Sequence, residues 1–228
     1  SRWCALSEAK PGISKAKPSP EYPPEDGHYL RGNDYSPVVV VVMHNAPREE
    51  GKETPPEIEK LVKVAIETGA ALAGTLQTAN IGLEKLITNV VANTNIRFLI
   101  LCGKEVDGHK SGDALAALIK DGVDAKRIII GTNAQTPYLF NIPVRVIERF
   151  RKQITLINLL NEIDSETVRK AVWSCYQETP TKFMDYTLYD VGAYPEPPIC
   201  CKITLRIKRP ETIEEWEIDK EFIKKLGD

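Results

Sequence analysis

Residues 37–43 read PVVVVVM, an unbroken apolar run in which five consecutive valines follow a proline. A β-branched run with no polar alternation fits a strand buried on both faces, which is the environment of a central strand in a parallel sheet. IRFLILC at 96–102 and RIIIG at 127–131 repeat the type, and AALAG at 70–74 is a shorter candidate. Between these runs the period changes. PPEIEKLVKVAIET at 55–68, behind a Thr-Pro-Pro start, and GLEKLITNVVAN at 82–93 carry apolar residues at helical spacing. SGDALAALIKDGV at 111–123 opens on Ser111 as a helix cap and closes on Gly122. Strand and helix in alternation predict an α/β fold, a mostly parallel sheet with helices on both faces and right-handed crossovers. The strands at Val38, Phe98 and Ile128 are expected to lie parallel in that one sheet, and Ile142 to Asn161 is expected to form one long helix.

Texture divides the chain into three. Residues 1–31, rich in proline, lysine and serine (KPGISKAKPSPEYPPEDG), read as an extended arm with few regular elements. Residues 32–161 hold the α/β pattern, and residues 162–228 read as a small β-containing appendage with a charged tail. At 228 residues, 42% of them hydrophobic, the chain can bury a full core. Its net charge of −2 offers no basic field to a phosphate backbone, so nucleic acid is not an expected partner. No apolar run reaches the roughly 20 residues that cross a bilayer. The tail TIEEWEIDKEFIKKLGD is too charged to insert, so no self-anchoring in a membrane is expected and a cytoplasmic location is. Five cysteines without a CxxC pair argue against a disulfide framework or a structural zinc site.

Ligands of parallel α/β sheets bind beyond the carboxyl ends of the strands. Three polar segments led by glycine are expected there: Gly74 to Gly82 (GTLQTANIG), Gly103 to Gly112 (GKEVDGHKSG) and Gly131 to Pro143 (GTNAQTPYLFNIP). Any one of them reads equally as an ordinary strand-to-helix turn, but three at one edge make a site. The second carries His109, one of three histidines in the chain. Neutral imidazole is a good transition-metal ligand, and a carboxylate such as Asp107 on its other nitrogen would fix the tautomer. Cys102, at the end of an apolar run, reads as a buried small hydrophobe rather than a nucleophile. His28 and His44 read as solvent or packing histidines. Cys200 and Cys201 would point to opposite faces if Ile199 to Leu205 is a strand.

Asp107 to Gly112 fit D-x-H-x-x-G, the pattern of a histidine that binds the cobalt of a corrinoid. The S-x-L and Gly-Gly segments of the common cobalamin-binding fold are not found downstream. A different family matches more of the chain. About Asp26 to Asn161, and most closely NIGLEKLITNVVANTNIRFLILCGKEVDGHKSGDALAALIKDGVDAKRIIIGTNAQTPYLFNIP, resembles the corrinoid-carrying A subunit of tetrahydromethanopterin S-methyltransferase. That family carries G-x-E-V-x-G-H-x-(S/T)-G, met here by Gly103, Glu105, Val106, Gly108, His109, Ser111 and Gly112. The resemblance implies a Rossmann-like domain that binds a cobamide, a cobalamin-type corrinoid of archaeal methanogenesis. In it His109 is the axial ligand of a cobalt that cycles between Co(I) and methyl-Co(III). It also implies separate methyl-donor and methyl-acceptor methyltransferase proteins as partners. Candidate cofactor contacts are His109, Asp107, Gly108, Gly112, Gly103, Gly74, Thr78, Asn80, Gly131, Thr132, Asn133 and Gln135. The polar ones among them would either hydrogen-bond corrin amides or cap helices.

Membrane-bound members of that family end in a transmembrane helix that this chain does not match, and HNAPREEGKETPPEIEKLVK at 44–63 reads as an insertion. The competing functions on the same fold are a non-catalytic small-ligand-binding module and an assembly or regulatory protein. Neither a G-x-G-x-x-G fingerprint nor a P-loop supports the first.

Overall fold

The computed structural model describes residues 14–44 and 54–202. All six residues of the valine run, strand β2 (Val38–Met43), are buried, as are all five of β4 (Phe98–Cys102). They pair in parallel with Val38 opposite Phe98 and Val42 opposite Cys102. The pleat sorts their side chains onto two faces. Val39, Val41, Leu99 and Leu101 join α2 (Ile81–Val91), α3 (Ser111–Asp121) and α4 (Val144–Gln153) in one core. Val38, Val40, Val42, Phe98, Ile100 and Cys102 face α1 (Pro56–Thr68) and α5 (Ser165–Ser174) in the other.

The full sheet is ordered β1-β3-β2-β4-β5. Strand β3 (Leu72–Leu76) lies parallel on one side of β2, and β5 (Thr155–Asn158) parallel on the far side of β4. The short β1 (Tyr29–Arg31) is the antiparallel edge, so residues 29–31, read in the sequence as the end of the arm, belong to the sheet. The expected mostly parallel, Rossmann-like sheet with helices on both faces is what forms. A hairpin of β6 (Thr181–Phe183) and β7 (Tyr186–Leu188) follows α5, and the Tyr186 hydroxyl accepts from Asn158 N at the outer edge of β5.

Two expected elements are different. The RIIIG run is not in the sheet: Ile128 and Ile129 make only isolated bridges, to Tyr138 and Val123. Only Ile129 of its three isoleucines is fully buried, while Ile130 is exposed, so the run covers one core from outside. The place beside β4 is taken by β5, which comes from the stretch expected to be the end of a long helix. That helix stops at Gln153, whose buried Nε2 donates to the carbonyls of Val90, Asn93 and Ile96, and the β-branched TLIN that follows is strand β5.

Both ends of the described chain meet on the buried residues Asn93, Thr94 and Asn95 and the turn before them. Asn95 bonds the backbone of Ala16 in both directions, Ser19 N donates to Ala92 O, Tyr194 N to Thr94 O and Ile199 N to Val91 O. Ala193 N donates directly to Ser14 O. Ile199 to Lys202 form no strand. Residues 203–228, with the charged tail, and residues 45–53 of the stretch read as an insertion lie outside the described residues, as does Cys4.

Candidate functional site

The strand order reverses between β2 and β4: the chain passes from β2 outward to β3, then returns across β2 to lay down β4. In a parallel sheet the crevice outside such a reversal is where loops separate and a ligand enters. His44 is the first residue past β2, and Gly103 the first past β4. Gly103 has φ +84, and a Cβ there would lie 2.9 Å from Met43 N and 3.0 Å from Met43 O, so only glycine fits. Its backbone is fixed from the other side too, its N–H donating to Glu162 O and its carbonyl accepting from Asn161 N.

His109 lies on the loop leaving β4, in the turn 107–109, and is exposed. Backbone on both sides of it is left-handed, with φ +81 at Gly108 and φ 47 at Lys110. The space beside Gly108 is open, with nothing within 4 Å of a Cβ placed there. Asp107 and Gly108 are exposed with it, whereas Val106 is buried in the core and roots the loop.

The loop ends in the first turn of α3, where the other two segments meet it. The expected Ser111 cap is not formed. Ser111 is the first helical residue, and its hydroxyl donates to Gln77 O of the loop after β3 (2.7 Å). Capping is done by Glu105 instead: Oε1 accepts from Gly112 N (3.0 Å) and Val106 N (2.7 Å), and Oε2 from Asp113 N (2.7 Å). Asp113 in turn holds the third segment, its Oδ2 accepting from Thr132 Oγ1 (2.7 Å) and Asn133 N (2.9 Å). Gly131 has φ +79 and sits against Asp121 at the far end of α3.

The remaining expected contacts separate by role. Thr78 Oγ1 accepts from Gly82 N and Asn80 Oδ1 from Ile81 N, so both cap α2. Gly74 does not start a loop: it lies inside β3, where a Cβ would press on Tyr29 of the edge strand and on the carbonyl of His28 just before it. Thr132 also accepts from Ala134 N, and Gln135 is exposed.

A cleft of about 730 Å³ opens beside this edge, walled by Asp26–Tyr29, His44, Thr54, the end of β3 and the start of α2. It includes Gly74, Thr78 and Asn80 but neither His109 nor the Gly131 segment. Two histidines assigned no role from sequence are in its wall. His44, 9% exposed, meets Gln77 Nε2 through Nδ1 at 2.8 Å, and His28 Nε2 lies 3.0 Å from Thr54 Oγ1. Gln77 thus touches both the cleft, through its side chain, and the α3 turn, through its carbonyl. The signal for His44 was its place directly after the central strand. Cys102 is fully buried against the other core and burial pushes its thiol up to about 12, so it is no nucleophile.

Known proteins share this chain's pattern over most of its length. The family model for the A subunit of tetrahydromethanopterin S-methyltransferase matches residues 15–192. Methanothermobacter thermautotrophicus has two such A subunits, numbered 1 and 2. The chain is 38% identical to the first over 172 residues, an alignment covering 75% of this chain and 66% of that protein. It is 35% identical to the second over 189 residues (82% and 90% covered). With the A subunit of the tetrahydromethanopterin S-methyltransferase of Methanopyrus kandleri it shares 37% over 203 residues (88% and 72%). It spans just under two thirds of the length of the first of these relatives.

Proposed function

Because the chain belongs to the family of tetrahydromethanopterin S-methyltransferase A subunits, we propose that it binds a cobamide through His109 and serves as the methyl carrier of a related methyltransferase system. The supporting observation is the place of His109: an exposed imidazole on the loop after β4, at the reversal of strand order, with open space beside Gly108. These residues fit a cobamide. The donor is a neutral-type nitrogen ligand suited to cobalt, and the site is accessible to a broad macrocycle.

A bound cobamide, held by His109, would supply the methyl-accepting and methyl-donating chemistry of its cobalt. The chain's own contribution is ligation, orientation and docking. His109 would offer one ring nitrogen as the donor that holds the cobalt, and Asp107, on the same turn, would keep the proton on the other ring nitrogen. Gly108 leaves room for close approach, and Gly103 keeps the loop seated at the strand end. Gly112, Thr132 and Asn133 would line the far side, held there by α3 through Glu105 and Asp113. The cleft with Gly74, Thr78 and Asn80 would take the cofactor's amide-bearing periphery, with the exposed Gln135 nearby, whereas Gly131 stands at the far end of α3. Methyl donor and acceptor would be delivered by separate methyltransferase proteins, and a cytoplasmic setting suits that exchange. Among the described residues no helix is long and apolar enough to cross a membrane.

The test is incubation of the purified protein with hydroxocobalamin, gel filtration, and electron paramagnetic resonance after reduction to Co(II). Stoichiometric red protein whose Co(II) signal is split by one axial nitrogen, with the splitting lost in His109→Ala, is the expected result. Equal splitting in wild type and His109→Ala would remove His109 as the ligand. Failure to retain corrinoid would favour the assembly or regulatory role.

A further inference from the structure

We infer that Glu105 is a positioning residue for His109: its carboxylate closes the His109 loop at both ends and so sets where the imidazole stands. The inference rests on the cobamide reading above, but the geometry that motivates it is independent of any cofactor.

The loop from Val106 to Ser111 leaves the core after Val106 and returns to it at Ser111. Between these anchors it has one internal backbone bond, Lys110 N to Val106 O at 2.8 Å. Its tip holds two left-handed residues, of which Lys110 is not a glycine, a conformation that a side-chain-bearing residue keeps only when its surroundings enforce it. The Ser111 hydroxyl ties the far end of the loop to Gln77 O, and a single side chain joins that end to the start. Glu105 Oε1 accepts from Val106 N at the start of the loop and from Gly112 N just past its end, and Oε2 accepts from Asp113 N. Three donors are thus gathered on one carboxylate, at the positive end of α3, which has no cap of its own because Lys110 stands at the cap position without a side-chain bond.

Gly112 is part of the same device. A Cβ there would lie 2.9 Å from Glu105 Oε2 and 2.6 Å from Leu160 Cδ1, so any side chain would push the carboxylate off its donors. The main chain of Glu105 is itself held, its N–H donating to Asn161 Oδ1 at 3.1 Å. Asn161 follows β5, so the clamp is referenced to the sheet rather than to the loop it restrains. His109, placed between the two ends, inherits its position from that carboxylate.

Two measurements on Glu105→Ala, Glu105→Gln and Gly112→Ala test this. In the cofactor-free protein, amide hydrogen exchange at Gly112 and Asp113 should speed up about 10- to 100-fold in Glu105→Ala while the β4 amides stay protected. After loading with hydroxocobalamin and reduction, the ratio of nitrogen-ligated to unligated Co(II) should fall about tenfold in Glu105→Ala and in Gly112→Ala. Glu105→Gln, which keeps one acceptor oxygen, should recover part of it. Nitrogen splitting as strong in Glu105→Ala as in wild type would overturn the inference. So would exchange that accelerates equally in β4, because Glu105 would then support the fold at large. A wild-type protein with no nitrogen splitting would instead overturn the proposed ligand, and this inference with it, a result distinguishable from the others because it precedes any substitution.

Discussion

A single residue decides much at this sheet edge when its backbone conformation allows no substitute. Gly103 combines φ +84 with backbone atoms of Met43 about 3 Å from any Cβ, so Gly103→Ala should destabilise the protein by about 1–3 kcal/mol. Urea denaturation should show a lower midpoint with an unchanged slope. Thiol chemistry gives a second expectation. Cys102 and Cys175 are buried and held well above the ordinary range by desolvation, whereas Cys200, also raised by desolvation, is partly open. Iodoacetamide at pH 8 should label Cys200 in the native protein and reach Cys102 and Cys175 only after denaturation, as peptide mapping would show. At this scale the sequence was informative where a residue type has one plausible use. Gly103 after β4, the loop histidine and the strand-end cysteine lie where the sequence puts them, whereas Gly74 lies inside β3 and Gly131 follows no sheet strand. Glu105 was visible in the motif but its work was not, because its partners at 112 and 113 come within reach only after the loop folds back. Thr78 and Asn80 have two readings, and in the structure they both cap α2 and line the cleft.

Elements were legible when burial was two-sided. β2 and β4 lie where their unbroken apolar runs predicted, and α1 and α2 where period and start signals agreed. RIIIG deceived because a short apolar run has no period by which to tell a central strand from a covering segment. The stretch 142–161 deceived in the opposite way. Amphipathic spacing in α4 runs straight into TLIN, and the boundary is set by a tertiary bond of Gln153 that leaves no local mark. The irregular stretch between α3 and α4 is secured by Glu84 of α2, 1% exposed, which accepts from both Asn141 N (2.8 Å) and Asn141 Nδ2 (2.7 Å). Glu84→Ala strands two buried donors and should cost about 2–4 kcal/mol, lowering the melting temperature by roughly 5–15 °C for a chain of this size. Calorimetry checks it, and a loss below about 0.5 kcal/mol would mean that the segment is held by its apolar contacts alone.

For the molecule as a whole, alternation was enough to predict the layered α/β class, but strand order was not readable, since it depends on which strand a crossover returns to. The folded chain also has a collective response to alkali. Burial pushes Cys102 up to about 12 and Cys201 up to about 11, and raises Cys175 and Tyr22 as well, all from ordinary values of 9.0 to 10.0. Unfolded, these groups lose their protons first, so the unfolded state binds fewer protons and stability falls as pH rises above about 9, continuing to the folded values. Each thiol so held back contributes a slope of about 1.4 kcal/mol per pH unit. Denaturation at pH 8 and 11 should show the fall, and Cys102→Ala should make it shallower. One last feature bears on how the chain comes to be. Residues 91–95 receive Ala16 and Ser19 from one side and Tyr194 and Ile199 from the other. During synthesis the sheet strands through β5 emerge long before residue 199 does. The growing chain therefore keeps the Thr94 and Val91 carbonyls on water until then, while Asn95 and Ala92 already hold Ala16 and Ser19, its core assembled and one end still open. It closes only when the last of its partners has left the ribosome.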